Sequence, residues 1–134
     1  MDLINSLNID WLDNDDNSFV SKMILSNFHA QPLGIVNGGA ILAFAEIISG
    51  KASNKIIAPG YFAVGQSITA FHIKGVMAKG SLTARGKLLH AGRKNHIWDI
   101  NISDECEELV SHITVNNVIV PQNKFEIDRR SIRD

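Results

Sequence analysis

The chain has one cysteine, Cys106, only three prolines and one tyrosine, and no excess of either charge. A single cysteine excludes an internal disulfide and fits a reducing compartment. Thirteen Lys and Arg residues against fourteen Asp and Glu leave a net charge of −1. That balance gives no electrostatic footprint for nucleic acid or an anionic membrane, so neither is expected as a partner. Long apolar runs are also missing. A membrane span needs roughly 18 to 20 residues, and the most apolar stretch is interrupted by Glu46 and Lys51. No Cys/His spacing points to a metal site, and none is expected. The opening M-D-L-I-N-S-L-N-I-D lacks the basic-then-apolar order of a signal peptide, so a cytoplasmic location is expected.

What is present suits one domain, spanning 1–134, with a real core: 134 residues, of which 45% are hydrophobic. The organising stretch runs from Gln31 to Asn54, a Gly-rich turn feeding a long and almost wholly apolar helix from about Gly38 to Lys55. A helix of this composition is expected to be buried on all sides. Glu46 stands alone in its middle, where an unpartnered carboxylate costs several kcal/mol, on the order of other buried ions.

Before this helix, Leu3, Ile4, Leu7 and Leu12 predict a short amphipathic helix ending before Asp13, and the pattern from Ser18 to Asn27 predicts a strand. After it, the alternation predicts four strands: Tyr61 to Ile73, Lys79 to Leu89, Asn95 to Ser103 and Leu109 to Val120. In the third of these, His96, Trp98, Ile100 and Ile102 share one face. The breaks between these strands are short, so hairpins and an antiparallel sheet are expected. The polar tail 121–134 is expected to be loosely ordered. The fold class is α+β, with one helix packed on one face of the sheet. The uncovered small-residue face of that helix predicts a homodimer at least.

Several residues are candidates for chemistry. Glu46 reads as a solvent-facing acid, as a partner of Lys51, or as a base or nucleophile shielded from water. Asn37-Gly38-Gly39 opens the helix. Its free N–H groups suit an anion or developing oxyanion, and Asn37 is also an ordinary N-cap. Gly38 and Glu46 are eight residues apart, roughly 12 Å along the axis, too far to meet on one reacting atom within one chain. The turn L-H-A-G-R-K-N-H reads either as a solvated basic loop or as a phosphate-binding patch built on Gly92, Arg93 and Lys94. No serine sits on a nucleophile turn.

The segment H-A-Q-P-L-G-I-V-N-G-G-A-I-L-A-F-A-E resembles the signature of the hotdog-fold acyl-CoA thioesterases. V-G-Q-S-I-T-A-F-H and L-H-A-G-R-K-N-H-I-W-D-I-N-I are similar to that family's later blocks, in the same order. The likeness is to the branch of the Arthrobacter-type 4-hydroxybenzoyl-CoA and the bacterial 1,4-dihydroxy-2-naphthoyl-CoA thioesterases, over most of the chain. The resemblance implies a hotdog, a long helix wrapped by a curled antiparallel sheet, assembled into dimers and usually tetramers. It implies hydrolysis of an aryl or medium-chain acyl-CoA, with no cofactor beyond the coenzyme A of the substrate. Glu46 would be the catalytic carboxylate, contributed across the dimer. Gln31 would orient the nucleophile or water, and the Gly38 N–H would polarise the thioester oxygen. Gly65, His72, Lys74 and Gly75 would line the acyl and pantetheine passage. Leu89, His90, Ala91, Gly92, Arg93 and Lys94 would hold the nucleotide and its phosphates.

Two positions depart from the family pattern. Asn37 stands where relatives carry histidine; its amide can donate a hydrogen bond beside the carbonyl but cannot carry a proton charge. Gly50 stands where relatives carry Ser or Thr. The Asn37 departure keeps a non-catalytic acyl-CoA-binding module as the alternative. A hydratase is disfavoured because the Asp and His pair such enzymes use is missing.

Overall fold

The computed structural model of the chain describes residues 2–123, so most of the predicted tail lies outside the described residues. The elements run α1 (Leu3–Leu7), β1 (Ile9–Asn14), β2 (Ser18–Ile24), a 3-10 turn (Asn27–His29), α2 (Gly38–Asn54), β3 (Tyr61–His72), β4 (Ser81–Ala91), β5 (Asn95–Ser103) and β6 (Leu109–Pro121). The six strands form one sheet in the order β1-β2-β4-β5-β6-β3, every pairing antiparallel, with α2 packed against it.

Two expectations are corrected. The N-terminal helix ends at Leu7, because Asn8 adopts a left-handed conformation (φ 59°) that closes it. Ile9 and Trp11 then alternate with Asp10 and Leu12 as a strand, and Ile9 pairs with Met23. The second correction is topological. The break after β3 is not a hairpin, since β3 pairs with β6 from Tyr61↔Pro121 to His72↔Ser111, while β4 lies between β2 and β5. The crossing segment 73–80 is fastened to the loop before α2 by Val36 N–H to Val76 O (2.9 Å), Ala78 N–H to Gly34 O (3.0 Å) and the bridge Ile35↔Met77. These bonds set the start of α2 beside the end of β3.

α2 buries a single stripe, Ile41, Phe44, Ala45, Ile48, Ser49, Ala52 and Ser53, at the spacing of one helix face. Leu42, Ala43, Ile47 and Gly50 remain half-buried and Glu46 exposed, so within one chain the helix is covered on one side and not all round. The sheet meets the stripe with Phe19, Met23, Leu82, Trp98, Ile100, Ile113 and Val115. On β5 the buried set is His96, Trp98, Ile100 and Ile102, the face expected from the alternation. Gly86 is required on β4, because a Cβ there would lie 2.1 Å from the Phe19 ring.

Inside this core sits a polar hub. The Ser53 hydroxyl accepts from Trp98 Nε1 (2.8 Å) and Asn117 Nδ2 (3.4 Å), and bonds His96 Nδ1 at 2.9 Å. With both lone pairs used, its proton goes to Nδ1, leaving Nε2–H of His96 as the ring's donor. Burial, and then the nearby His90, push the His96 pKa below the usual 6.5. The unfolded chain therefore takes up a proton near pH 6.5 that the folded chain resists. Stability is full above that pH and falls as the pH drops below it. The denaturant midpoint is expected to be lower at about pH 5.5 than at about pH 7.5, and His96→Gln should flatten the difference. An equal slope in the variant would assign the effect to other groups.

Candidate active site

The Gln31–Gly34 turn places the helix start. The Gln31 carbonyl accepts from the Gly34 N–H at 2.9 Å, the Gln31 N–H donates to Ile35 O at 2.9 Å, and Gly34 takes φ 88°. The Gln31 side-chain oxygen accepts from the Leu33 N–H. Its Nε2 hydrogens carry no bond among the described residues. Asn37 is the N-cap: its Oδ1 accepts from the Gly39 N–H at 2.9 Å, and its N–H donates to His29 O at 2.7 Å. The Asn37 carbonyl oxygen of the side chain is thus spent on the helix. Gly38 follows with its N–H unbonded among the described residues, as the first turn of a helix leaves it.

Beside Gly38 lies the His72 ring. A Cβ on Gly38 would sit 3.0 Å from His72 Nε2, so glycine is what lets the imidazole approach. His72 Nδ1 is held by the Ser111 hydroxyl at 2.8 Å. Gly38, His72, Lys74 and Gly75 line one cleft of about 200 Å³, with apolar walls from Ile35, Ile41 and Val76. Lys74 does not offer a free cation there. Its ammonium is 2.7 Å from both Asp104 and Glu108, which raises its pKa above the ordinary lysine value, Asp104 contributing most. The same contact lowers the Asp104 pKa.

Glu46 opens into a different groove, of about 670 Å³, shared with Ile47, Gly50, Lys51, Asn54 and Gly65. Its carboxylate makes no ion pair or hydrogen bond among the described residues. Lys51 is not its partner, since that ammonium lies over the Trp11 ring, 4.9 Å from its centroid. The carboxylate stands over Gly65, where a Cβ would be 2.7 Å from Oε1. β3 shifts register between Gly65 and Ser67, immediately under the acid. The Glu46 and Gly38 clefts share no lining residue.

The basic turn forms a third place. Gly92 N–H donates to Asn95 O at 2.9 Å, and the His90 ring folds over Gly92, whose Cβ would be 2.7 Å from Nε2. Leu89, His90, Ala91, Arg93 and Lys94 are exposed, and neither Arg93 nor Lys94 has an ion pair among the described residues. Ala91, Gly92 and Arg93 rim a cavity of about 470 Å³ walled by Ile56, Ile57, Tyr61 and Ile119, with His96 on its lining. Among the described residues no group of three or more His, Cys, Asp or Glu is placed to hold a metal ion. None of the helices there is long and apolar enough to cross a membrane.

Three residues around these clefts escaped the sequence reasoning. Ser111 is one small residue in a strong strand. Ser53 is one of several in α2. His29 is buried, with Nδ1 accepting from the Ser26 N–H at 3.0 Å and Nε2 donating to Leu7 O at 2.8 Å, tying α1 to the loop that carries Gln31. Only a burial pattern, absent from one sequence, distinguishes them from surface residues.

The model of the thioesterase superfamily matches residues 33–111. The chain belongs to the thioesterase superfamily. A crystal structure of a predicted thioesterase from Lactococcus lactis is 52% identical, covers 91% of this chain and 99% of its own, and superposes with a TM-score of 0.84. A predicted esterase of Vibrio cholerae is 36% identical over 115 residues, 84% of this chain and 76% of its own. A Listeria monocytogenes protein named 1,4-dihydroxy-2-naphthoyl-CoA hydrolase is 34% identical over 80 residues, 60% of this chain and 64% of its own. As in this superfamily, the fold is the hotdog expected from the sequence, with α2 wrapped by the curled sheet, and the protein is a thioester hydrolase. The match from 33 to 111 contains Glu46 and the glycines of all three clefts, Gly38 and Gly75, Gly50 and Gly65, and Gly92.

Proposed function

We propose that this thioesterase hydrolyses an acyl-CoA, with an aryl or medium-chain acyl group, to the free acid and coenzyme A. The observation that carries the proposal is Glu46, a carboxylate without a partner among the described residues, standing over side-chain-less Gly65 at the mouth of a mostly apolar groove. Glu46 acts at the thioester carbonyl carbon, either by attack or by taking a proton from the attacking water. The C=O π pair moves to the carbonyl oxygen, and the Gly38 N–H donates a hydrogen bond to the negative charge that develops there. The C–S bond then breaks and coenzyme A leaves as the thiolate, which takes up the proton released by water; on the attack route that water hydrolyses the Glu46–acyl anhydride to the free acid. Gln31, whose Nε2 hydrogens carry no bond among the described residues, orients the nucleophile or the water.

Gly38 and Glu46 of one chain lie roughly 12 Å apart along α2, so one site takes Gly38 from one copy and Glu46 from another. The uncovered apolar face of α2 and the edge position of β3, which carries Gly65, support a homodimer, and two such dimers form a tetramer. Arg93 and Lys94, free of ion pairs among the described residues, take the phosphates of coenzyme A, and the adjoining cavity takes its nucleotide. This favours coenzyme A over an acyl carrier protein as the acyl donor. His72 and Gly75 border the pantetheine passage. The name of the Listeria relative supports an aryl acyl group. The reaction needs no cofactor other than the substrate's own coenzyme A, and the enzyme works in the cytoplasm.

A panel of aryl- and alkyl-CoA esters assayed for free thiol tests this. At least one member is expected to turn over well above the rate without enzyme. Tight calorimetric binding of these esters with no thiol release from any of them would instead make the protein a binding module.

A further inference from the structure

We propose that His72 is a catalytic residue, the second hydrogen-bond donor to the thioester oxygen, beside the Gly38 N–H. The inference rests on the acyl-CoA hydrolysis proposed above and adds a residue to it. It starts from Ser111, which is fully buried. The Ser111 hydroxyl has one side-chain partner among the described residues, His72 Nδ1 at 2.8 Å. A buried hydroxyl proton left unpaired is costly, so it points to Nδ1. The hydrogen of the imidazole then sits on Nε2. That nitrogen is the ring atom next to Gly38, at the point where a Cβ would come within 3.0 Å.

The cleft at the head of α2 thus presents two N–H groups side by side, one from the helix terminus and one from a ring fixed by Ser111. Two neighbouring donors are occupied: the Lys74 ammonium by Asp104 and Glu108, and the Gly39 N–H by the Asn37 side-chain oxygen. Two converging donors are what an oxygen gaining negative charge requires. As the nucleophile adds to the carbonyl carbon, the C=O π pair moves to oxygen and is held by Gly38 N–H and His72 Nε2–H. The pair returns as the C–S bond breaks and the thiolate leaves. His72 transfers no proton; it lends a hydrogen bond. This also gives the site an imidazole donor although position 37 is asparagine.

The test uses the full chain and the best CoA ester of the panel. His72→Ala is expected to lower kcat about 100-fold, as loss of one oxyanion donor does, with little change in KM. His72→Gln, which restores an N–H donor, should recover part of the loss. Ser111→Ala, which frees the ring, should lower kcat in the same direction but less. A kcat for His72→Ala within about twofold of the parent would overturn the inference, as would a loss carried wholly by KM, which is the mark of a residue that only lines the passage. Either result leaves acyl-CoA hydrolysis standing. Absence of thiol release by the unmodified chain would remove both.

Discussion

Replacing Glu46 with alanine is expected to reduce thioester hydrolysis by about 10²- to 10⁴-fold, the range for removing a positioned acid-base group, and more if the carboxylate is the nucleophile. The fold should survive. Glu46 is exposed within the protomer and its carboxylate holds no ion pair or hydrogen bond among the described residues, so truncating the side chain breaks no salt bridge there. Thermal melting and oligomeric state should match the parent, which separates loss of chemistry from loss of structure. A variant retaining near-normal thiol release would end the assignment of Glu46. Gly65→Val is a companion from the opposite side. Its side chain would enter the space held by the carboxylate, since a Cβ alone already comes within 2.7 Å of Oε1, and it should lower activity by displacing Glu46. Single turnover in heavy-oxygen water tests for the covalent route: label in Glu46 requires attack by Glu46 followed by water addition at the Glu46 carbonyl of the anhydride, whereas activation of water leaves label in the acid alone.

The second large effect is on stability. Ser53→Val is expected to cost several kcal/mol, because it strips the Trp98 indole and the Asn117 amide of their acceptor and His96 Nδ1 of its donor, in a site without solvent. Each buried polar group left unpaired costs about 1–3 kcal/mol. Asn117 Oδ1 is already buried without a partner among the described residues, so this corner has no spare acceptor bond to redistribute there. Urea unfolding should show a clearly lower midpoint at unchanged slope. Ser53→Ala should fall between the parent and Ser53→Val, having the same lost bonds and less overpacking. A Ser53→Val midpoint equal to the parent would mean that water or a rearranged Asn117 replaces the hydroxyl.

Much of the site was visible in the residues because it depends on local geometry. The Asn37-Gly38-Gly39 helix start, the lone acid eight residues on and the Gly92-Arg93-Lys94 turn are each short segments whose chemistry follows from spacing. Asn37 was legible as an N-cap, and it is one. The environment of Glu46 was not. Composition suggested a helix buried all round, while a single protomer covers only the stripe from Ile41 to Ser53.

The sequence by itself determined the α+β class, α2, the five strands from β2 to β6 and the inward face of β5, because periodicities of 3.6 and 2 are properties of the chain alone. It misjudged the segment from Asn8 to Leu12, where one residue in the left-handed region ends a helix. Tertiary structure decided that β3 pairs with β6 and not with its successor β4, since strand order is set by which apolar faces can close over α2 and not by sequence distance. It also decided the contacts that matter most at the site. Gly38 meets His72 and Gly65 meets Glu46 only because missing side chains allow close approach between elements far apart in the chain, and no local pattern encodes that proximity.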